Sequence, residues 1–281
     1  MRILGGSNWL WRRYVTEIQD AAERDSDAYR SAIPRSDANR RAVVVLITAA
    51  LSLTILNFGA TSRPYWLVTM LDGLGLDAWA AWGRATFDLS VHAQRNGLVF
   101  WGIGQLFAYT VPPLLAIRFV LRERVSDYGL RVRGIRRHAT VYSVLLAVSV
   151  PFVVAASFTA SFQAKYPFYD LAPGEGLWPN MMLWWVVYGL QFAALEFFFR
   201  GFMIHGLSGR LGYMAVFVMV VPYNMLHYGK PIAEALAAIV GGAVLGSLSL
   251  RSRSIWWGVV VHVAIAGTMD VAALFHKGFL P

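Results

Sequence analysis

The stretch LWWVVYGLQFAALEFFFRGF, residues 183–202, contains one carboxylate and one guanidinium, Glu196 and Arg200, in an otherwise uncharged run. About 20 consecutive apolar residues are what an α-helix needs to cross ~30 Å of hydrocarbon. The two charges are four residues apart, which puts them on one helix face. An ionised group at the bilayer centre costs ~2.5–3.5 kcal/mol on insertion scales, so such groups face a protein interior and usually have a task there. The run containing them, 183–206, is one of seven. The others are 42–60, 97–118, 139–160, 211–227, 232–250 and 254–275. This pattern predicts an all-α protein, a polytopic transmembrane helix bundle of about seven spans. Residues 65–92 are aromatic but broken by Asp72, Asp77 and Asp88. They predict an interfacial or re-entrant segment with room for an eighth span.

Composition supports this reading. Hydrophobic residues make up 57% of the 281 and charged residues 15%, with a mean hydropathy of +0.50. Soluble domains carry about 25% charged residues. The 11 Trp, 12 Tyr and 17 Phe add a heavy aromatic load. Disorder and an ordinary cytosolic enzyme are excluded. With no cysteine, so are a disulfide scaffold and thiol catalysis. The net charge of +9 is almost wholly arginine, since only Lys165, Lys230 and Lys277 are lysines. The arginines gather at the ends of apolar runs, where lipid headgroups and the insertion machinery read them. The expected partner of this charge is the lipid bilayer, and no nucleic-acid partner is expected.

Three blocks follow along the chain. Residues 1–41 are a cytoplasmic or interfacial N-terminal arm, 42–175 a set of N-terminal transmembrane helices, and 176–281 a C-terminal transmembrane core. In the arm, Leu10, Tyr14, Ile18, Ala21, Ala22, Tyr29 and Ile33 recur at helical spacing, with Trp9 and Trp11 suited to the headgroup level. This predicts either an amphipathic helix on the membrane surface or a soluble arm. The arm has eight arginines and the loop 118–137 has seven, whereas 61–96 balances three against three aspartates. Seven spans with that alternation put the N-terminus in the cytoplasm and the C-terminus outside.

Six ionisable groups stand out within the spans: Glu196, Arg200, His227, Glu234, His262 and Asp270. All lie in the last four spans, which confines polar chemistry to the C-terminal third. At ~1.5 Å per residue, Glu196 and His262 lie ~15 and ~12 Å from the cytoplasmic ends of their spans, and His227 lies ~24 Å from its own. One central polar cavity is expected to hold the first two, with His227 near its outer side. A glutamate and two histidines in a dry cavity suit metal-free hydrolysis. The carboxylate takes a proton from water, a histidine shares or relays it, and N–H donors stabilise the oxyanion. Zinc is the alternative use of two histidines and a carboxylate, although the compact H-E-x-x-H motif is absent. No cofactor is expected otherwise.

The order Glu196-x-x-x-Arg200-Gly201-Phe202, then Tyr223-x-x-x-His227, then His262 resembles the CPBP intramembrane proteases, the CAAX protease and bacteriocin-processing family also called Abi. The glycine-rich run Gly241–Gly246 is similar too, and its small residues allow close helix packing. The resemblance covers roughly residues 180–275. It implies an all-helical membrane bundle with endopeptidase activity on prenylated proteins or small secreted peptides, in a bacterial inner or plasma membrane. Carried onto this chain, the site comprises Glu196, Arg200, His227 and His262. Glu234, seven residues after His227, is a candidate second carboxylate.

Two positions depart from the family pattern. The family's first motif has two adjacent glutamates, the first taken as the water-activating base, and here that position is Leu195. The third motif has an asparagine four residues after the histidine, and here that position is Ala266. Asp270, eight residues after His262, is a further acid on roughly the same helix face, expected to be solvated or interfacial. The same residues are compatible with a non-catalytic membrane scaffold of this fold. A transporter is a third reading, against which stands the lack of internal repeats.

Overall fold

The computed structural model describes residues 12–132, 134–171 and 175–280. Within them the chain is helical, and the only β-type pairing is an isolated antiparallel bridge between Leu130 and Ser254. The helices are α1 (Glu17–Ala32), α2 (Arg35–Gly59), α3 (Tyr65–Gly73), α4 (Asp77–Arg84), α5 (Ala93–Leu115), α6 (Ala139–Ser157), α7 (Leu177–Glu196), α8 (Ile204–Leu211), α9 (Met214–Met225), α10 (Ile232–Ser252) and α11 (Trp256–His276). A single turn, Ala160–Gln163, follows α6. Pro112 and Pro113 lie inside α5 and cannot donate to its ladder. That helix continues as a π-helical turn, Ala116–Leu121, and stops at Arg122 in the left-handed region.

Among the described residues, six stretches are long and apolar enough to cross a membrane: 35–59, 93–121, 135–157, 177–211, 232–252 and 256–276. The protein is an all-α integral membrane protein. The expected span at 211–227 is corrected. It is realised as α9, whose 12 residues reach only about 18 Å. Gly212, at φ +56, separates α8 from α9, and a turn containing Gly229 follows, ahead of Pro231. The eighth span is also absent, because 65–92 contains α3 and α4, of 9 and 8 residues. Asp72, at the end of α3, pairs with Arg84 at 2.7 Å. The count that put the C-terminus outside therefore falls from seven to six by length. Side chains turned outward on the long helices are apolar, as with Ile47, Phe107, Phe119 and Val186, and Phe152 is 72% exposed. Such a surface suits hydrocarbon.

The chain divides into two compact units, interleaved along the sequence. The first comprises the chain through Ala50, Thr110–Ser143 and Glu196–Val260. In it, α10 packs on α9 and α8 through its glycines. A Cβ on Gly242 would sit 3.0 Å from the Tyr223 ring, and one on Gly246 would sit 3.0 Å from Ile204, Met219 and Val216. Backbones approach closely where side chains are absent, as the glycine-rich run predicted. The loop before α6 is pinned to the start of α11: Ile255 N donates to the Gly129 carbonyl at 2.9 Å, and Trp257 Nε1 donates to Ile135 at 2.8 Å. In the same loop, Tyr128 donates to Glu123 at 2.5 Å, and Arg41 reaches Glu123 at 3.0 Å. Burial pushes the Tyr128 phenol above its ordinary range, so it remains a donor.

The arm helix α1 belongs to this unit and docks on α8. Its buried stripe, Ile18, Ala22 and Ser26, follows the spacing expected of an amphipathic helix. That stripe covers protein, where the sequence alone allowed a lipid-facing role. Ser26 Oγ donates to the Gly209 carbonyl at 3.1 Å, and the Tyr29 ring lies over Gly209. Glu23 accepts from the Tyr213 backbone N–H at 3.0 Å. Trp9, Leu10 and Trp11 lie outside the described residues.

The second unit comprises Leu51–Tyr109, Val144–Leu195 and the chain from Val261. Its core is aromatic: Tyr169, Trp184 and Tyr188 cluster with Leu98, Met181, Ala266 and Leu274, flanked by Trp101 and Phe168. Gln191 donates to Gln105 at 2.9 Å between α7 and α5, and Arg95 donates to Asn180 at 2.6 Å.

Replacing Glu23 with alanine removes the acceptor of the Tyr213 N–H and should weaken the docking of α1 by about 1–2 kcal/mol. The expected result is at least several-fold faster tryptic cleavage at Arg24 and Arg30 in detergent, with the transmembrane core left intact. Unchanged cleavage would show that the arm is held by other contacts.

Candidate active site

Glu196 is the last residue of α7, and the next turn, Phe197–Met203, is π-helical. π-Bulges inside α-helices occur mostly at functional sites. Here the wider turn accompanies complete burial of Phe198, Phe199 and Phe202 together with Arg200. Glu196 is 1% exposed and Arg200 0%. Arg200 Nη1 lies 3.2 Å from Glu196 Oε1, so the pair inferred from the four-residue spacing is present. The guanidinium also sits over the Tyr223 ring, 3.9 Å from its centroid. Stacking a weakly hydrated planar cation on an aromatic face is a role in which lysine cannot replace arginine.

Tyr223 connects this pair to the next motif. Its ring meets Phe199 edge-on at 5.4 Å and the His227 ring at 5.0 Å. His227 follows the end of α9 and is half-buried. Its Nδ1 lies 3.2 Å from the Tyr223 carbonyl. With the proton on Nδ1 donated to that carbonyl, Nε2 becomes the acceptor nitrogen. Glu196, Arg200, Tyr223 and His227 thus form one chain of contacts within the first unit. Glu234 lies in the first turn of α10, where a carboxylate is favoured by the helix dipole. Lys230 holds it at 2.7 Å, both side chains being about one-fifth exposed.

His262 belongs to the second unit. There it is half-buried, its ring parallel to Phe192 at 5.3 Å and 6°. Ala266, at the position where the family carries asparagine, is packed into the aromatic cluster of that unit. Asp270 is not solvated, contrary to the expectation from sequence. It is 1% exposed, and its Oδ2 accepts from Trp184 Nε1 and Trp185 Nε1, each at 3.1 Å. Two aromatic neighbours in α7 supply the partners that could not be read near Asp270 in sequence. Among the described residues, no group of three or more His, Asp or Glu side chains is placed to hold a metal ion.

Three residues of the first unit carry more weight than the sequence reading gave them. Tyr223 links Arg200 to His227, and its only signal was its place four residues before the histidine. Gly258, one turn before His262 in sequence, makes room for the catalytic candidate Glu196. A Cβ there would collide with Glu196 Oε2 and lie 2.9 Å from its Cδ. His205 is buried on α8, with Ser249 Oγ 3.5 Å from its Nε2, and no motif marked it.

Fold and site together define a polytopic α-helical membrane protein with a buried, aromatic-lined ion pair in its C-terminal third. Residues 177–268 match the family model described as Rce1-like, type II CAAX prenyl endopeptidase Rce1-like. The chain therefore carries an Rce1-like domain, consistent with membership of the CPBP family that the motifs resemble. The match takes in Glu196, Arg200, His227, Glu234 and His262 and stops two residues before Asp270. Searches of curated proteins and of solved structures returned no match.

The close approach of Gly258 to Glu196 makes a coupled prediction. Gly258→Ala should destabilise the protein by about 1–3 kcal/mol through overpacking, seen as a lower Tm in detergent. Adding Glu196→Asp, which withdraws the carboxylate by one methylene, should recover about 1 kcal/mol of that loss. Strict additivity of the two substitutions would mean that the contact carries no energy.

Proposed function

We propose that the protein is an intramembrane endopeptidase that hydrolyses a peptide bond of a membrane-associated or prenylated substrate with activated water. The observation that carries this reading is the fully buried Glu196–Arg200 pair within an Rce1-like domain. A buried ion pair is a poor device for stability alone, since apolar residues of similar volume do as well or better.

In this mechanism the Glu196 carboxylate, oriented by Arg200, takes a proton as water oxygen attacks the scissile carbonyl carbon. The carbonyl π electrons move onto oxygen; an imidazole N–H of His262 is the candidate donor to that oxyanion, and His227, whose Nε2 is an acceptor, shares the proton taken from water. Collapse of the tetrahedral intermediate breaks the C–N bond, and the proton held by Glu196 passes to the leaving amine. Glu234, already neutralised by Lys230, is the alternative base. A second reading has support of its own. Leu195, at the family's base position, and Ala266, at its asparagine position, are both buried, Ala266 within the aromatic cluster. That favours a scaffold that binds peptides without cutting them.

Purified protein in liposomes, given prenylated and unprenylated hydrophobic peptides, should cleave some of them. Glu196→Gln should then lower the rate by about 10²–10⁴-fold, the usual size of a general-base contribution. His227→Ala and His262→Ala should each slow cleavage, Glu234→Gln should stay within a few-fold of wild type, and EDTA should have no effect. A reversed order of the two glutamates would move the base to Glu234. Wild-type rates in all four variants would remove the assignment, and binding without any cleavage would favour the scaffold.

We further infer, from the arginines of the arm and of the 118–137 loop, that both segments face the cytoplasm. Because the sequence has no cysteine, single cysteines at Ala28 and Arg137 can be labelled without background. An impermeant maleimide should reach both only after the membrane is opened. Labelling of either in intact cells would reverse the orientation.

A further inference from the structure

Two stripes of side chains run along each other in the second unit. On α7, Trp184, Tyr188 and Phe192 fall at four-residue spacing, one face of the helix. Trp184 stacks on Tyr188 at 4.5 Å and 20°, and Tyr188 meets Phe192 at 4.6 Å. On α11, His262, Ala266 and Asp270 have the same spacing. The stripes touch at both ends and in the middle. Asp270 Oδ2 accepts from Trp184 Nε1, Ala266 packs in the cluster with Trp184 and Tyr188, and Phe192 lies parallel to His262.

Asp270 is unusual in this setting. It is 1% exposed, and its Oδ1 is buried with no hydrogen-bond partner among the described residues. Burying a carboxyl group against two indoles costs free energy that an apolar side chain of similar size would not. What the carboxyl adds is direction. One oxygen receives two indole N–H groups and so sets the planes of Trp184 and Trp185. The stacked column passes that orientation to Tyr188 and Phe192, and the Phe192 face fixes the plane of the imidazole.

We propose that Asp270 is a positioning residue for His262, acting through the Trp184–Tyr188–Phe192 column. The significance of His262 for peptide hydrolysis rests on the function proposed above, whereas the positioning itself does not. The geometry also accounts for Ala266: a methyl group lets the column approach α11, and the polar group of that helix face lies one turn further on.

The test uses the full-length protein in nanodiscs with isotope-labelled histidine. The sequence has six histidines, and the His262 ring signal is assigned by its loss in His262→Gln. In the wild type, its ring protons should be shifted upfield by the Phe192 face. Asp270→Asn, which keeps an acceptor oxygen, should preserve the shift. Asp270→Ala and Trp184→Phe should each remove at least half of it while the His227 signal stays in place. A His262 signal unmoved in both, with the Trp185 indole signal altered in Asp270→Ala, would overturn the proposal. If Asp270→Ala does not fold, Trp184→Phe decides alone by the same criterion. In cleavage assays Asp270→Ala should lower kcat several-fold with KM unchanged, and Asp270→Asn should restore it. A lost ring shift in a protein that never cleaves peptide would retain the positioning role and reject the protease reading.

Discussion

A carboxylate and a guanidinium on an apolar helix must be given partners before that helix can leave water, and the surroundings of Glu196 and Arg200 follow from this. The charges meet each other at 3.2 Å, and the cation lies on Tyr223. The anion occupies space that exists because residue 258 is glycine. Removing one member of a buried pair leaves an uncompensated charge, typically at a cost of 3–5 kcal/mol. The surrounding rings of Phe198, Phe199 and Phe202 make that cost higher by excluding water. The glycines of α10 serve the same end, because Gly242 lets α10 close against Tyr223.

Features of the sequence that reflect solvent transfer were readable. Helical class, apolar runs and the rarity of charge within them follow from the bilayer acting as solvent, and the long helices fall where most of those runs lie. The Glu196–Arg200 pair was readable because four-residue spacing on a helix dictates proximity. The function of the glycine-rich run was readable for a similar reason. What failed depended on termination or on partners distant in sequence. Residues 211–227 are apolar throughout most of their length, but Gly212 and the turn before Pro231 shorten the helix to 12 residues. Hydropathy counts side chains and does not register a backbone that turns.

The same limit explains Asp270, Gly258 and the arm. Asp270 reads as an interfacial acid until two indoles from α7 are placed beside it. Gly258 has no side chain to announce itself, and its importance is the volume it leaves to Glu196. The apolar stripe of α1 is equally compatible with lipid or protein, since both bury it. Only the polar contacts of Glu23 and Ser26 with the α8–α9 region distinguish the two.

The departures at Leu195 and Ala266 are consistent with their surroundings, which gives them meaning beyond loss. A polar group deleted from a buried site normally leaves its former partners unsatisfied, at about 1–3 kcal/mol each. Ala266 is enclosed by Trp184, Tyr188 and Leu274, with its position filled by apolar contacts. Leu195 is likewise buried. Both positions are apolar and buried, while Glu196, Arg200, Tyr223 and His227 keep a connected set of contacts. A site drifting out of use would be expected to shed its costliest element first, the desolvated ion pair, because apolar replacements there are neutral or stabilising. The pair stands beside two apolar side chains, so its burial is offset by the contacts its members make, with each other and with the Tyr223 ring.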